Sequence, residues 1–150
     1  MSWNDLRSGR FSQEQGEYFI TFNTYQRDSF FNEFELACLF CRQIALNEQR
    51  YQCTWLTWVL MPDHFHGLLR LDGPGVDLSK VVGGLKGASS YVINKHLKRA
   101  GKLWQPAFHD RALREEEDRI NISRYIVGNP LRKELVTDLK YYSFWDSVYL

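Results

Sequence analysis

The spacing of apolar residues changes several times along the chain, and each change marks an element. From Glu17 to Tyr25, Tyr18, Ile20, Phe22 and Thr24 alternate with Phe19, Thr21, Asn23 and Tyr25. This aromatic and β-branched run predicts a strand partly buried on both faces. Phe34 to Glu48 is apolar at 36, 39, 40, 44 and 46 and has no Gly or Pro, which predicts a helix with Asn32 as its N-cap. A second strand is expected over Cys53 to Leu60. Met61-Pro62-Asp63 is turn chemistry, and it leads into a third strand, His64 to Leu71, antiparallel to the second. After the loop Asp72 to Gly75, Asp77 is placed to cap a long helix from Leu78 to about Ala100, weakened locally by Gly83, Gly84 and Gly87. Leu103 to Leu113 contains Pro106 and suits an edge strand. Glu115 to Asp118 then open a last helix that stops near Gly128, because Pro130 disfavours helical geometry at Asn129.

The order β-α-β-β-α-β-α is the split βαβ pattern of an α+β, ferredoxin-like fold. That fold is an antiparallel sheet with helices on one face, here with an added C-terminal helix, and it leaves the other face open to a ligand. A chain of 150 residues builds one core, so 1–150 reads as a single domain with an N-terminal arm over 1–16 and a C-terminal tail over 136–150. The tail aromatics Tyr141, Tyr142, Phe144, Trp145 and Tyr149 either pack back on the domain or line a binding site.

A composition of 44% hydrophobic and 25% charged residues excludes a disordered chain. No apolar run approaches the roughly 18 to 20 residues of a membrane span, and MSWNDLRSGR lacks the apolar centre of a secretory signal, so a cytoplasmic protein without membrane contact is expected. Cys38 and Cys41 form a CxxC with no second pair, which points to buried small apolar residues rather than zinc ligands.

The net charge of +1 conceals an asymmetry. Residues 1–79 hold 6 basic and 10 acidic residues, and 115–150 hold 5 and 7, whereas 80–114 hold eight basic residues against the single acid Asp110. This local excess of +7 suits a polyanion, or else is a solvated helix face.

His64 and His66 are two apart on a strand, so both imidazoles leave one face of the sheet while Phe65 leaves the other. Two convergent imidazoles are half a metal site, or a pair of ordinary half-buried histidines. Tyr125 and Asn129, four apart, share a helical stripe with Ile122 and Ile126 and place a phenol beside an amide oxygen. If that helix packs over the histidines, the set suits a divalent cation and attack by the tyrosine on a phosphodiester. The plainer alternative is a core tyrosine and a helix-terminating asparagine.

His64-Phe65-His66 followed by Tyr125 and Asn129 resembles the single-tyrosine HUH (IS200-like) transposases, where U is a bulky apolar residue. The closer resemblance is to the REP-associated tyrosine transposases. It is carried by Val59 to His66, by Leu85-Lys86-Gly87, by Trp104 to Arg114 and by Arg124 to Arg132, and it spans about residues 7 to 135. The resemblance implies a ferredoxin-like fold, His64, His66 and Asn129 as ligands of Mg²⁺ or Mn²⁺, and Tyr125 as the catalytic nucleophile. Cleavage of single-stranded DNA would leave a 5′-phosphotyrosine and a free 3′-OH. The implied partner is single-stranded or hairpin DNA from repetitive extragenic palindromes, read in part through Arg7-Ser8-Gly9-Arg10.

Arg7, Arg10, Lys80, Lys86, Lys95, Lys98, Arg111, Arg114 and Arg124 are then the expected DNA-binding residues. His109 and Asp110 also match the motif, and support of the ligands, DNA contact and packing are all open to them. Wider insertion-sequence relatives usually carry glutamine at the position of Asn129 and often form dimers that exchange the tyrosine helix. The short link from Leu113 to Tyr125 favours a tyrosine acting in its own subunit, hence a monomer. The competing functional classes are a hairpin-binding module that does not cleave and a metal hydrolase that uses water.

Overall fold

The computed structural model of the protein describes residues 16–150. One antiparallel sheet in the order β4-β1-β3-β2-β5 contains β1 (Glu17–Asn23), β2 (Cys53–Met61), β3 (His64–Leu71), β4 (His109–Ala112) and β5 (Trp145–Ser147). The helices are α1 (Phe34–Tyr51), α2 (Leu78–Leu97), α3 (Arg119–Val127) and α4 (Asn129–Arg132). β3 lies between β1 and β2 and runs antiparallel to both, so the first six elements are the split βαβ arrangement with α3, α4 and β5 appended.

The two faces of the sheet differ because strand residues alternate. Ile20, Phe22, Trp55, Phe65, Leu69 and Leu71 face α1 and α2, where they meet Phe40, Val82, Leu85 and Trp104. Phe22 stacks on Phe65 with ring centroids 5.0 Å apart and meets Trp104 edge-on at 4.7 Å, geometries that suit the quadrupoles of the rings. On the opposite face Ile126 and Val127 of α3 pack against Leu56, Val59, Met61 and Leu68. A bulge between Trp55 and Thr57 shifts the register there. Buried Thr57 bonds both Ser123 of α3 (2.7 Å) and Ser147 of β5 (2.8 Å), pinning the appended elements to β2. Trp145 of the tail packs into this second core and Tyr142 donates to the carbonyl of Leu60, so residues 136–150 return to the domain.

Several local expectations are revised. Asn32 does not cap α1. It closes a single 3₁₀ turn, Phe30–Asn32, that buries Phe31 against Phe40, and Glu33 takes the flanking position. Asp77 does cap α2, accepting from the Lys80 amide at 3.2 Å, but the helix ends at Leu97, where Lys98 turns left-handed at φ 54. Leu103 to Leu113 splits in two: Trp104 bridges Thr24, and only His109–Ala112 pairs with β1. Cys38 and Cys41 are half-buried rather than buried, and burial pushes the Cys41 thiol up to about 12, which keeps it protonated. No helix among the described residues is long and apolar enough to cross a membrane. The arm, including Arg7 and Arg10, lies outside the described residues.

Glycines in the sheet and in α2 carry opposite consequences. A Cβ at Gly67 would stand 2.7 Å from the buried Trp55 ring, whereas at Gly83 and Gly87 in α2 it would meet nothing within 4 Å. Gly67→Ala is expected to lose about 1–3 kcal/mol to overpacking. Gly83→Ala and Gly87→Ala are each expected to gain about 0.5–1 kcal/mol through helix propensity. Urea unfolding midpoints of the three variants check both signs.

Candidate active site

Because Phe65 is committed to the core, His64 and His66 emerge together on the α3 face, with ring centroids 4.7 Å apart. Each ring is held by its Nδ1. His64 Nδ1 donates to Asp63 at 2.7 Å, and the other oxygen of Asp63 accepts from Arg27 at 3.0 Å. His66 Nδ1 pairs at 2.7 Å with Thr21 Oγ1, directly across the ladder. In the tautomer that carries its proton on Nδ1, each ring keeps Nε2 free to accept, as metal-ligating imidazoles require. Arg27 reaches Asp63 from a strained turn in which Gln26 and Arg27 are both left-handed, at φ 56.

Burial lowers the pKa of both histidines. Desolvation holds His66 down to about 3, helped by His64, Arg132 and Arg27. Desolvation also lowers His64, against the opposing pull of Asp63. Both imidazoles are therefore neutral, the form with a lone pair to give.

α3 delivers the tyrosine. Asp118 caps it by accepting from the amides of Ile120 and Asn121, and Ser123, Ile126 and Val127 face the sheet. Tyr125 does not share that buried stripe: it is 59% exposed and stands at the margin of α3. Asn129 follows the junction at Gly128 and is 6% exposed. Its Nδ2 donates to the Ile126 carbonyl at 3.1 Å, which turns the amide oxygen away from that carbonyl. The Arg132 guanidinium covers the Tyr125 ring at 4.2 Å and donates to the Tyr125 carbonyl at 2.6 Å, clamping α4 to α3.

His64, His66, Tyr125 and Asn129 thus line one cleft of about 480 Å³, with Thr21, Asn23, Arg27, Arg132 and Lys133. Among the described residues, three cations and no carboxylate line it. Among the described residues no three His, Cys, Asp or Glu cluster around a metal position. The donors in the cleft are two oriented imidazole nitrogens and an amide oxygen, a set that suits a divalent cation with open positions.

The basic segment divides. Lys80 and Lys95 are exposed on α2 and Lys98 just past its end, across the sheet from the histidines. Lys86 Nζ donates to the carbonyls of Gln105 and Ala107, tying α2 to the segment before β4. Arg111 faces the tyrosine side opposite Phe19 and pairs with Glu117 at 2.7 Å. Arg114 pairs with Glu116 at 3.4 Å, and Arg124 is exposed on α3. His109 stands opposite Thr21 on the histidine face, and Asp110 stands opposite Ile20 on the helix face. A count of charge along the chain does not single out Arg27, Arg132 and Lys133, which come from two separate segments. The short interval between Asn129 and the pair Arg132-Lys133 was the available signal.

The fold and cleft define a ferredoxin-like domain that presents a paired-histidine strand to a helix-borne tyrosine. The sequence matches the family model described as "Transposase IS200 like" over residues 12–129, and the chain belongs to that family. Its structure is similar to that of a REP-associated tyrosine transposase bound to a REP hairpin. The TM-score is 0.78 at 22% identity, covering 91% of this chain and 79% of that one. It is also similar to a putative transposase from Deinococcus radiodurans R1, with a TM-score of 0.58 at 27% identity, covering 79% of this chain and 93% of that one. No curated protein sequence matches.

The histidine environment sets a pH dependence. A histidine of ordinary pKa near 6.5 becomes harder to protonate on folding, so the stabilising contribution is complete above about pH 6.5 and fades as pH falls from there toward 3. The stability advantage of the original chain over His66→Gln, read from urea unfolding, is expected to shrink between about pH 7.5 and about pH 5.

Proposed function

We propose that the chain is a metal-dependent transposase that cuts and rejoins single-stranded DNA beside a hairpin, with Tyr125 as nucleophile. The observation that carries this reading is the single cleft in which Tyr125 meets His64, His66 and Asn129 among three cations. His64, His66 and Asn129 would hold Mg²⁺ or Mn²⁺. When bound, such an ion supplies charge neutralisation at the scissile phosphate.

The chain's own groups do the rest. Arg27, Arg132 and Lys133 attract and orient the phosphodiester, and Arg132 holds the Tyr125 ring by its face. The Tyr125 oxygen attacks phosphorus and gives its proton to solvent water. As the new O–P bond forms, the bond to the 3′ oxygen breaks, and that oxygen leaves as a 3′-OH after taking a proton from water. The strand is retained as a 5′-phosphotyrosine. Attack on this linkage by a 3′-OH reverses the step and joins DNA, so bond energy is conserved between cutting and transfer. The solved relative bound to a REP hairpin supports a hairpin from repetitive extragenic palindromes as substrate. All four residues come from one chain, which supports a monomer acting in cis.

With labelled hairpin oligonucleotides bearing single-stranded flanks and Mn²⁺, a covalent adduct on a denaturing gel is expected from the original chain, none from Tyr125→Phe, and none after EDTA. Binding without cutting by either protein would leave a hairpin-binding module, and cutting by both without an adduct would leave water as nucleophile. Mixing Tyr125→Phe with His66→Ala is expected to restore no adduct. Restoration would show a site shared between subunits.

A further inference from the structure

Tyr125 belongs to two clefts. It also lines a second slot of about 460 Å³ with Phe19, Arg111, Asn121 and Ile122. We propose that this slot takes the nucleobase adjacent to the phosphate that Tyr125 attacks, so that Phe19 acts as a stacking platform and Arg111 and Asn121 read the edge of the base. The inference rests on the reaction proposed above.

The two clefts differ in the way the two parts of a nucleotide differ. The histidine cleft is polar and cationic, suited to a phosphodiester, while the floor and wall of the slot are the Phe19 ring and the Ile122 side chain. A strand whose phosphate lies at the Tyr125 oxygen carries its neighbouring base only one sugar away, and the slot that Tyr125 shares with Phe19 and Ile122 offers that base an apolar surface. Phe19 sits across the ladder from Arg111, so both project to the tyrosine face. Its ring also tilts against His66 with centroids 5.8 Å apart, which links the platform to the catalytic strand.

The rim is polar and pre-oriented. Glu117 holds the Arg111 guanidinium at 2.7 Å, and Glu117 is itself held by the Arg114 amide. The Asn121 amide nitrogen donates to Asp118 at 2.9 Å, fixing the plane of the amide group. A flat apolar floor with a guanidinium and an amide at its edge is the pairing that stacks a base and hydrogen-bonds its edge. Arg111 is thereby assigned to a base rather than to a phosphate.

The test couples a change in the protein to a change in the DNA. Hairpin oligonucleotides are made with an abasic site at each position flanking the cut, and adduct formation is measured with the original chain, Phe19→Leu and Phe19→Trp. An abasic site at one flanking position is expected to slow the original chain roughly tenfold or more and to slow Phe19→Leu hardly further, with Phe19→Trp resembling the original. Equal abasic penalties in all three proteins, or no penalty at either flank, overturn the proposal. A second arm needs no cleavage: 2-aminopurine, placed in turn at each position of the single-stranded flanks, is titrated with Tyr125→Phe, with and without Phe19→Leu. Quenching that disappears with Phe19→Leu supports the slot, and quenching unchanged by it refutes the slot. If no oligonucleotide forms an adduct, the proposed reaction fails while this arm still decides the slot. Circular dichroism melts show whether each variant is folded.

Discussion

Alternation along β3 ties the core of this protein to its cleft. A strand residue faces one side of the sheet or the other, so burying Phe65, Leu69 and Leu71 under α1 and α2 forces His64, His66 and Leu68 onto the opposite face. Each of those three large side chains contributes about 1.5–3 kcal/mol by burial. A one-residue slip that exchanged the faces would forfeit an amount comparable to the whole stability of a small domain. The histidines are thus aimed by the hydrophobic effect acting on their neighbours, and hydrogen bonds to Asp63 and Thr21 then set the rotation of each ring.

The second face is built to hold α3 against those histidines while keeping Tyr125 outside the packing. Ile126 and Val127 supply the apolar contact, and the hydroxyls of Ser123 and Ser147 both bond the buried Thr57, joining α3, β2 and β5. Unpaired, such hydroxyls would be costly; paired, they fix the helix along and across the sheet. The tail therefore buttresses the elements that position Tyr125. Arg132, from the turn after α3, reaches back over the phenol, so the same residue that adds charge to the cleft also restrains the tyrosine.

Most of the fold was legible because its signals are local and periodic. The alternation in β1, the turn at Pro62 and Asp63, and the cap at Asp77 each act within a few residues, and the split βαβ order follows from them. β5 was not legible: it has three residues, and its place depends on the edge of β2 left open by the sheet order. The end of the Asn32 prediction is similar, since burial of Phe31 against Phe40 outweighs an available capping side chain. In the cleft, the histidines, Tyr125 and Asn129 could be named from spacing and from resemblance. Arg27, Arg132 and Lys133 could not be selected by a linear charge count, because they converge only once the chain is folded. The same count made Lys86 a candidate for phosphate, whereas its ammonium is bonded to two backbone carbonyls.

The proposed ligand set is His64, His66 and Asn129, which share one cleft with Tyr125. A crystal soaked in Mn²⁺ and measured at a wavelength where manganese scatters anomalously tests it most directly. An anomalous peak bonded to Nε2 of both histidines and to the amide oxygen of Asn129 is expected, within the cleft that Tyr125 borders. Manganese bound elsewhere, or held by the histidines with Asn129 turned away, would contradict it.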